Sequence, residues 1–180
     1  EIGKVFLPVA GEQLPEERTH LGIALMGETP RGWNRPARPL DFFYLKGVLQ
    51  TLADRLGLQF AWERSTTPFC HPGRTARITS RGEELGWAGE IHPDVTGAFD
   101  LPDRVVACEL DLERLLRVVP EQRATRFEGL PRFPSVNRDL AIVIDEKVPV
   151  ASVMETIRDA GGDTLKELRL FDVFKGRQIP

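Results

Sequence analysis

At 180 residues and a net charge of −3, the chain has room for one domain and part of a second, and it lacks the bulk positive charge of a protein that grips nucleic acid by electrostatics alone. Apolar residues make up 41% and no apolar run approaches the ~18 residues of a membrane span, so a soluble globular chain with no membrane partner is expected. The two cysteines, Cys70 and Cys108, make no metal-ligand or redox spacing and no signal-peptide pattern opens the chain, which favours a reducing, cytoplasmic compartment.

The first residues, Glu1 to Phe6, fall inside an apolar strand-like segment, as expected of a fragment cut from a longer protein. Val5-Phe6-Leu7 ends at Pro8, and Leu21 to Met26 forms a second short strand pattern closed by Gly27. The stretch GETPRGWNRPARPL, residues 27–40, reads as loop by its glycines and prolines. Asp41 can cap a helix in which Phe42, Leu45, Val48, Leu49, Leu52 and Leu56 recur at helical spacing, with Gly57 as its stop. Leu58 to Trp62 reads as a strand. Arg74 to Thr79 and Glu84 to Ala88 read as a hairpin turning at Arg81-Gly82. Pro93 opens a short helical turn. Val105 to Leu110 is a further strand, after which Asp111 can cap a helix carrying Leu112, Leu115 and Leu116. Strands outnumber helices and look antiparallel, so the class is α+β.

Pro120 to Pro134 is polar, holds three prolines and keeps no periodicity. The expected division is therefore a domain over residues 1–120, a linker over 121–132 and a second domain over 133–180. In the second, Leu140, Ile142 and Ile144 share one face of a strand at 138–144. Pro149 starts a helix with Val150, Val153, Met154 and Ile157 inward, Gly161-Gly162 ends it, and Leu165 to Phe174 returns as a strand. This order is the first half of a ferredoxin-like βαββαβ unit, giving a partial βαβ. Residues 1–120 carry 14 Lys/Arg against 17 Asp/Glu, while residues 121–180 carry ten of each, so any nucleic-acid contact must come from a local patch.

Candidate chemistry is sparse. Cys70-His71 are adjacent, and neighbours on a strand point to opposite faces, which opposes a nucleophile–base pair. Cys70, His71 and His92 follow no zinc spacing. Gly82, Gly86 and Gly89 lack the Gly-Lys-Ser/Thr of a phosphate loop. Arg31, Trp33, Asn34, Arg35 and Arg38 make a basic aromatic loop of the kind that can stack on and neutralise RNA, or serve a subunit contact. Arg132, Asn137, Arg138, Lys175 and Arg177 gather at strand ends of the second domain and are the candidate phosphate or base contacts. No catalytic and no metal residue is assigned.

PSVNRDLAIVID, followed by LRLFDVFKGRQIP, resembles the opening of the ferredoxin-fold anticodon-binding domain that closes the β chain of bacterial phenylalanyl-tRNA synthetase. DFFYLKGVL, PFCHPGRTARI and GWAGEIHPDV resemble the domain before it, a non-catalytic copy of the class II synthetase core. One departure is Tyr44, where that family usually carries an aspartate. The resemblance implies a fragment from the C-terminal part of the β chain, with a mainly antiparallel class II-like sheet followed by the partial ferredoxin-like unit. It implies a scaffold that packs on α subunits in an α2β2 heterotetramer and binds tRNA near the anticodon. ATP and magnesium are then used by the holoenzyme and no cofactor by this fragment. Consistently, VVACELDLERLL after GWAGEIHPDV offers no glycine-rich turn leading to an ATP-gripping arginine. The alternative is a stand-alone RNA-binding or regulatory module that reuses these domains without α.

Overall fold

A computed structural model describes residues 1–101, 104–121 and 133–174. It divides into two compact units, Glu1–Arg126 and Phe127–Pro180. The first is α+β: strands β1 (Ile2–Leu7), β2 (Glu16–Met26), β3 (Ala61–Arg64), β4 (Cys70–Ser80), β5 (Glu83–Ile91) and β6 (Val105–Asp111), with helices α1 (Phe42–Leu56), α2 (Pro93–Ala98) and α3 (Leu112–Val118). The strands form a six-stranded sheet of order β1-β2-β6-β5-β4-β3, every neighbouring pair antiparallel.

The register aligns the apolar residues into rows on one face. Leu21, Leu110, Gly86, Ile78 and Trp62 are successive partners across five strands, as are Ile23, Cys108, Ala88, Ala76 and Arg64 in the next row. Helix α1 packs on these rows. Leu45, Leu49 and Ala53, spaced by four, are fully buried, whereas Phe42, Leu52 and Leu56 are partly buried against the same cluster. Each enclosed leucine contributes roughly 1.5–3 kcal/mol. Val48, which shares the helical spacing, is 40% exposed on the flank of the stripe. Asp41 caps α1 by accepting the backbone N–H of Tyr44 at 2.9 Å, and Gly57 closes it in the left-handed conformation, with Leu58 N–H donating back to the Ala53 carbonyl.

Gly86 is where the sheet depends on a missing side chain. Its φ is +153°, and a Cβ there would stand 1.9 Å from the Glu109 carbonyl oxygen. The hairpin between β4 and β5 turns at Arg81 and Gly82, both at positive φ (52° and 82°), the two-residue geometry that matches strand twist. The strand expected at Leu58 to Trp62 begins later, at Ala61. Leu58 and Phe60 are buried beneath α1, so the first residues after the Gly57 cap fill the core before pairing starts.

The second unit contains α4 (Val150–Gly161) and a 3₁₀ turn at Gly162–Thr164. Residues 138–144 and 165–174, expected as strands, carry no strand. A ladder needs a partner for every second N–H and C=O. The split βαβ order leaves a gap between its two strands for a third, which no described residue fills. The helix follows Pro149 as expected, and Val153, Met154 and Ile157 are its half-buried face, but Val150, expected inward, is 39% exposed in the first turn. Among the described residues no helix is long and apolar enough to cross a membrane.

Candidate nucleic-acid interface

Of the five residues expected to meet RNA, Asn137 and Arg138 are described; Arg132, Lys175 and Arg177 lie outside the described residues. Asn137 and Arg138 are exposed, consecutive on the chain, and engage no other described residue through hydrogen bonds or ion pairs. An amide and a guanidinium free of internal partners are available to phosphate oxygens or base edges.

The first unit presents a second basic element. Residues 27–40, expected to be loop, form an ordered arm between β2 and α1. Isolated bridges pair Glu28 with Pro39 and Gly32 with Arg35. Thr29 N–H donates to the Arg38 carbonyl at 2.8 Å, Arg38 N–H returns to the Thr29 hydroxyl at 3.0 Å, and Leu40 N–H donates to the Gly27 carbonyl at 2.9 Å. Trp33 stands in the turn and is 98% exposed.

The Cys70-His71 pair has no nucleophilic arrangement. Cys70 is buried, and burial pushes its thiol above the ordinary cysteine value even though Thr75 acts in the other direction. The His71 ring accepts the Gly73 N–H at 3.1 Å, and the His92 ring caps α2 by accepting the Asp94 N–H at 3.2 Å. The two rings stack with centroids 6.4 Å apart, and no group of three His, Cys, Asp or Glu suited to a metal occurs among the described residues. Cys108 lies deeper, its thiol pushed up to about 11 by burial.

Glu90 escaped the sequence reading. It pairs with Val106 on the apolar face and is buried, with Arg74 Nη1 at 2.6 Å and Arg104 Nε at 3.2 Å on the same carboxylate oxygen. These residues floor a cleft of about 340 Å³ walled by Phe42, Trp62 and Arg64. Two guanidiniums on one carboxylate oxygen tie β4, β5 and the start of β6 together, which suits a structural clamp. The signal was present: Gly86, Ala88 and Glu90 alternate onto one face, so a charge had to point inward.

At the opposite end of β6, Asp111 accepts Arg114 N–H at 3.0 Å, capping α3, and Arg18 Nη1 at 3.1 Å. Burial acts to raise the Asp111 carboxyl, but the Arg114 N–H and the Arg18 guanidinium outweigh it and hold the group below the ordinary aspartate value. Asp111 is thus committed to holding β2, β6 and α3 together.

Comparison with known proteins fixes the lineage of both units. Residues 1–112 match the family model described as the phenylalanyl tRNA synthetase beta chain CLM domain, and residues 131–180 match the ferredoxin-fold anticodon binding domain. The phenylalanine–tRNA ligase beta subunit of Moorella thermoacetica is 47% identical over 182 residues, covering 100% of this chain and 22% of that protein. That of Symbiobacterium thermophilum is 45% identical over 181 residues, covering 99% and 20%. The chain therefore spans about a fifth of the length of these curated relatives. A solved pyrrolysyl tRNA synthetase from Desulfitobacterium hafniense shares 20% identity at a TM-score of 0.44, covering 65% of this chain and 38% of its own. An N-terminal CLM domain followed by an anticodon-binding domain replaces the synthetase-like core, and the placement in the C-terminal part of the β chain, that the resemblance implied. With one family model spanning most of its first unit and relatives matching along its whole length, the chain belongs to the phenylalanyl-tRNA synthetase beta chain family.

Proposed function

We propose that the chain is a segment of a phenylalanine–tRNA ligase β subunit that binds tRNA near the anticodon through its second unit and serves assembly through its first. The observation that carries this reading is the match of residues 131–180 to an anticodon-binding domain in a chain related to β subunits from end to end. Asn137 and Arg138, exposed and without a partner among the described residues, support it as contacts, and Arg132, Lys175 and Arg177 complete the proposed set. The partner of the first unit is the α subunit, in an α2β2 assembly working in the cytoplasm. Activation of phenylalanine with ATP and magnesium belongs to α. In this chain the buried acidic groups Glu90 and Asp111 are already bound by arginines, which leaves them poorly suited to hold a metal–nucleotide complex.

The test is a titration of the purified chain with tRNAPhe, competed by an isolated anticodon stem-loop or by an acceptor minihelix. Competition by the stem-loop, with Asn137→Ala/Arg138→Ala weakened, is expected. Equal competition by the minihelix would overturn the anticodon reading. Phenylalanine-dependent pyrophosphate exchange by the chain alone is expected to stay at background, and measurable exchange would overturn the scaffold assignment.

A further inference from the structure

We propose that residues 27–40 form an RNA-stacking arm: Trp33 receives an unpaired base on its indole face, and Arg31, Arg35 and Arg38 neutralise the adjoining phosphates. The inference rests on the tRNA-binding reading and adds a second contact, in the other unit, that the anticodon-binding match does not supply.

Three observations carry it. The arm is built and not merely exposed. Two isolated bridges and the paired hydrogen bonds between Thr29 and Arg38 fix its legs, and Pro30, Pro36 and Pro39 restrict its backbone before any ligand arrives. Its tip displays a large ring to solvent at 98% exposure, which a folded chain gains nothing from by itself. Its charge is unspent: Arg31, Arg35 and Arg38 are all exposed, and none pairs with an acid among the described residues, although this unit is otherwise rich in Arg–Glu pairs.

The same features distinguish RNA from a protein partner. A protein hot spot lies in the packed, predominantly apolar core of an interface patch. Trp33 is flanked by Gly32, Asn34 and Arg35, with no other large apolar side chain near the tip in sequence. A lone aromatic face among guanidiniums instead matches the alternating base and phosphate of a single strand.

The test uses the full chain with a fluorescently labelled tRNAPhe and a short single-stranded RNA. Trp33→Ala is expected to weaken both by roughly 5- to 150-fold, the range of one lost base stack, and Trp33→Phe to restore most of it. Arg31→Ala/Arg35→Ala/Arg38→Ala is expected to flatten the dependence of log affinity on log salt by about 2, at ~0.7 per phosphate contact. Thermal melting of the arm variants should be unchanged, because Trp33 is almost wholly exposed and the three arginines are exposed without ion pairs among the described residues. If Trp33→Ala binds RNA like the parent chain while Asn137→Ala/Arg138→Ala loses it, the arm proposal falls and the anticodon reading stands. If the anticodon stem-loop fails to compete but the Trp33 effect persists, the reverse holds. Loss of α-subunit binding in Trp33→Ala with RNA affinity intact would make the arm a protein contact and overturn the proposal.

Discussion

The two units carry similar apolar patterns and bury them to opposite degrees. In the first, Leu45, Leu49, Ile78, Leu85, Leu110 and Val106 are sealed from solvent. In the second, none of the described residues 133–174 is buried; Leu140, Ile142 and Leu170 are 65%, 51% and 51% exposed. The difference lies in pairing. The core-facing strand residues of the first unit sit in paired ladders, with Leu85 filling the core at the register shift between β4 and β5, so α1 meets a continuous surface. The alternating residues of the second unit have no ladder to hold them in a plane, and α4 half-covers only its own stripe. A strand pattern in sequence states a capacity. It becomes a strand only where another segment supplies its hydrogen-bond partners.

The sharpest way to break the first unit is to disturb its ladder from within. Gly86→Ala places a methyl group 1.9 Å from the Glu109 carbonyl oxygen, on backbone that cannot step aside without parting β5 from β6. The expected loss is about 4 kcal/mol or more, enough to unfold a marginal domain. A chemical denaturation midpoint within error of the parent would show that the sheet is not held at that register.

Next in size is the helix–sheet contact. Leu49→Ala removes a fully buried side chain between α1 and the sheet, with an expected cost of about 2–5 kcal/mol. A cost below ~0.5 kcal/mol would mean that the α1 face is not enclosed in solution.

Much of this was legible in the sequence. The caps of α1 and α3 follow from Asp41 and Asp111 preceding helical periodicity, and the hairpin from Arg81-Gly82 between two apolar runs. The arm was hidden because its prolines and glycines say loop, and its rungs are single bridges that no periodicity announces. Strand order was hidden for a different reason: β6 inserts between β2 and β5, a pairing that local sequence cannot encode. Residues 138–144 and 165–174 alternate without forming strands because alternation reports which residues would share a face, not whether a neighbour exists. Of the candidate site, residue types and exposure were legible, while the Glu90 clamp required knowing that Arg74 and Arg104 reach it from separate segments.

A smaller effect separates geometry from charge at the end of β6. Asp111→Ala removes the α3 cap and the Arg18 partner together, with an expected loss of about 1–2 kcal/mol at neutral pH. Asp111→Asn keeps a capping oxygen and removes only the charge, so it should lose less. The folded carboxyl titrates below its unfolded value of 3.8, so the charge contributes fully above that value and is lost as pH falls through the depressed one. The stability gap between the parent and Asp111→Asn should therefore be constant from pH 7 to 5 and close below pH 3.8. A gap that widened in acid would mean that burial, not the arginines, governs the group.

The smallest expected effect lies in the second unit and tests the comparison most directly. Ile142 is half exposed and has no strand partner among the described residues, so Ile142→Ala forgoes at most part of one burial contribution, below about 1 kcal/mol, against several for Leu49→Ala. Backbone amides tell the same story without mutation. With no ladder, the N–H groups of Ile142 and Leu170 are open to solvent exchange, whereas Leu49 is in the middle of a helix packed on a sheet. Hydrogen exchange on the dilute chain should show protection at Leu49 exceeding that at Ile142 and Leu170 by orders of magnitude. Added tRNA should slow exchange at Arg138 and its neighbours if the second unit is ordered by its ligand. Equal protection at Leu49 and Ile142 in a monomer would require a closed sheet around residues 138–144, and the contrast between the two units would then be wrong.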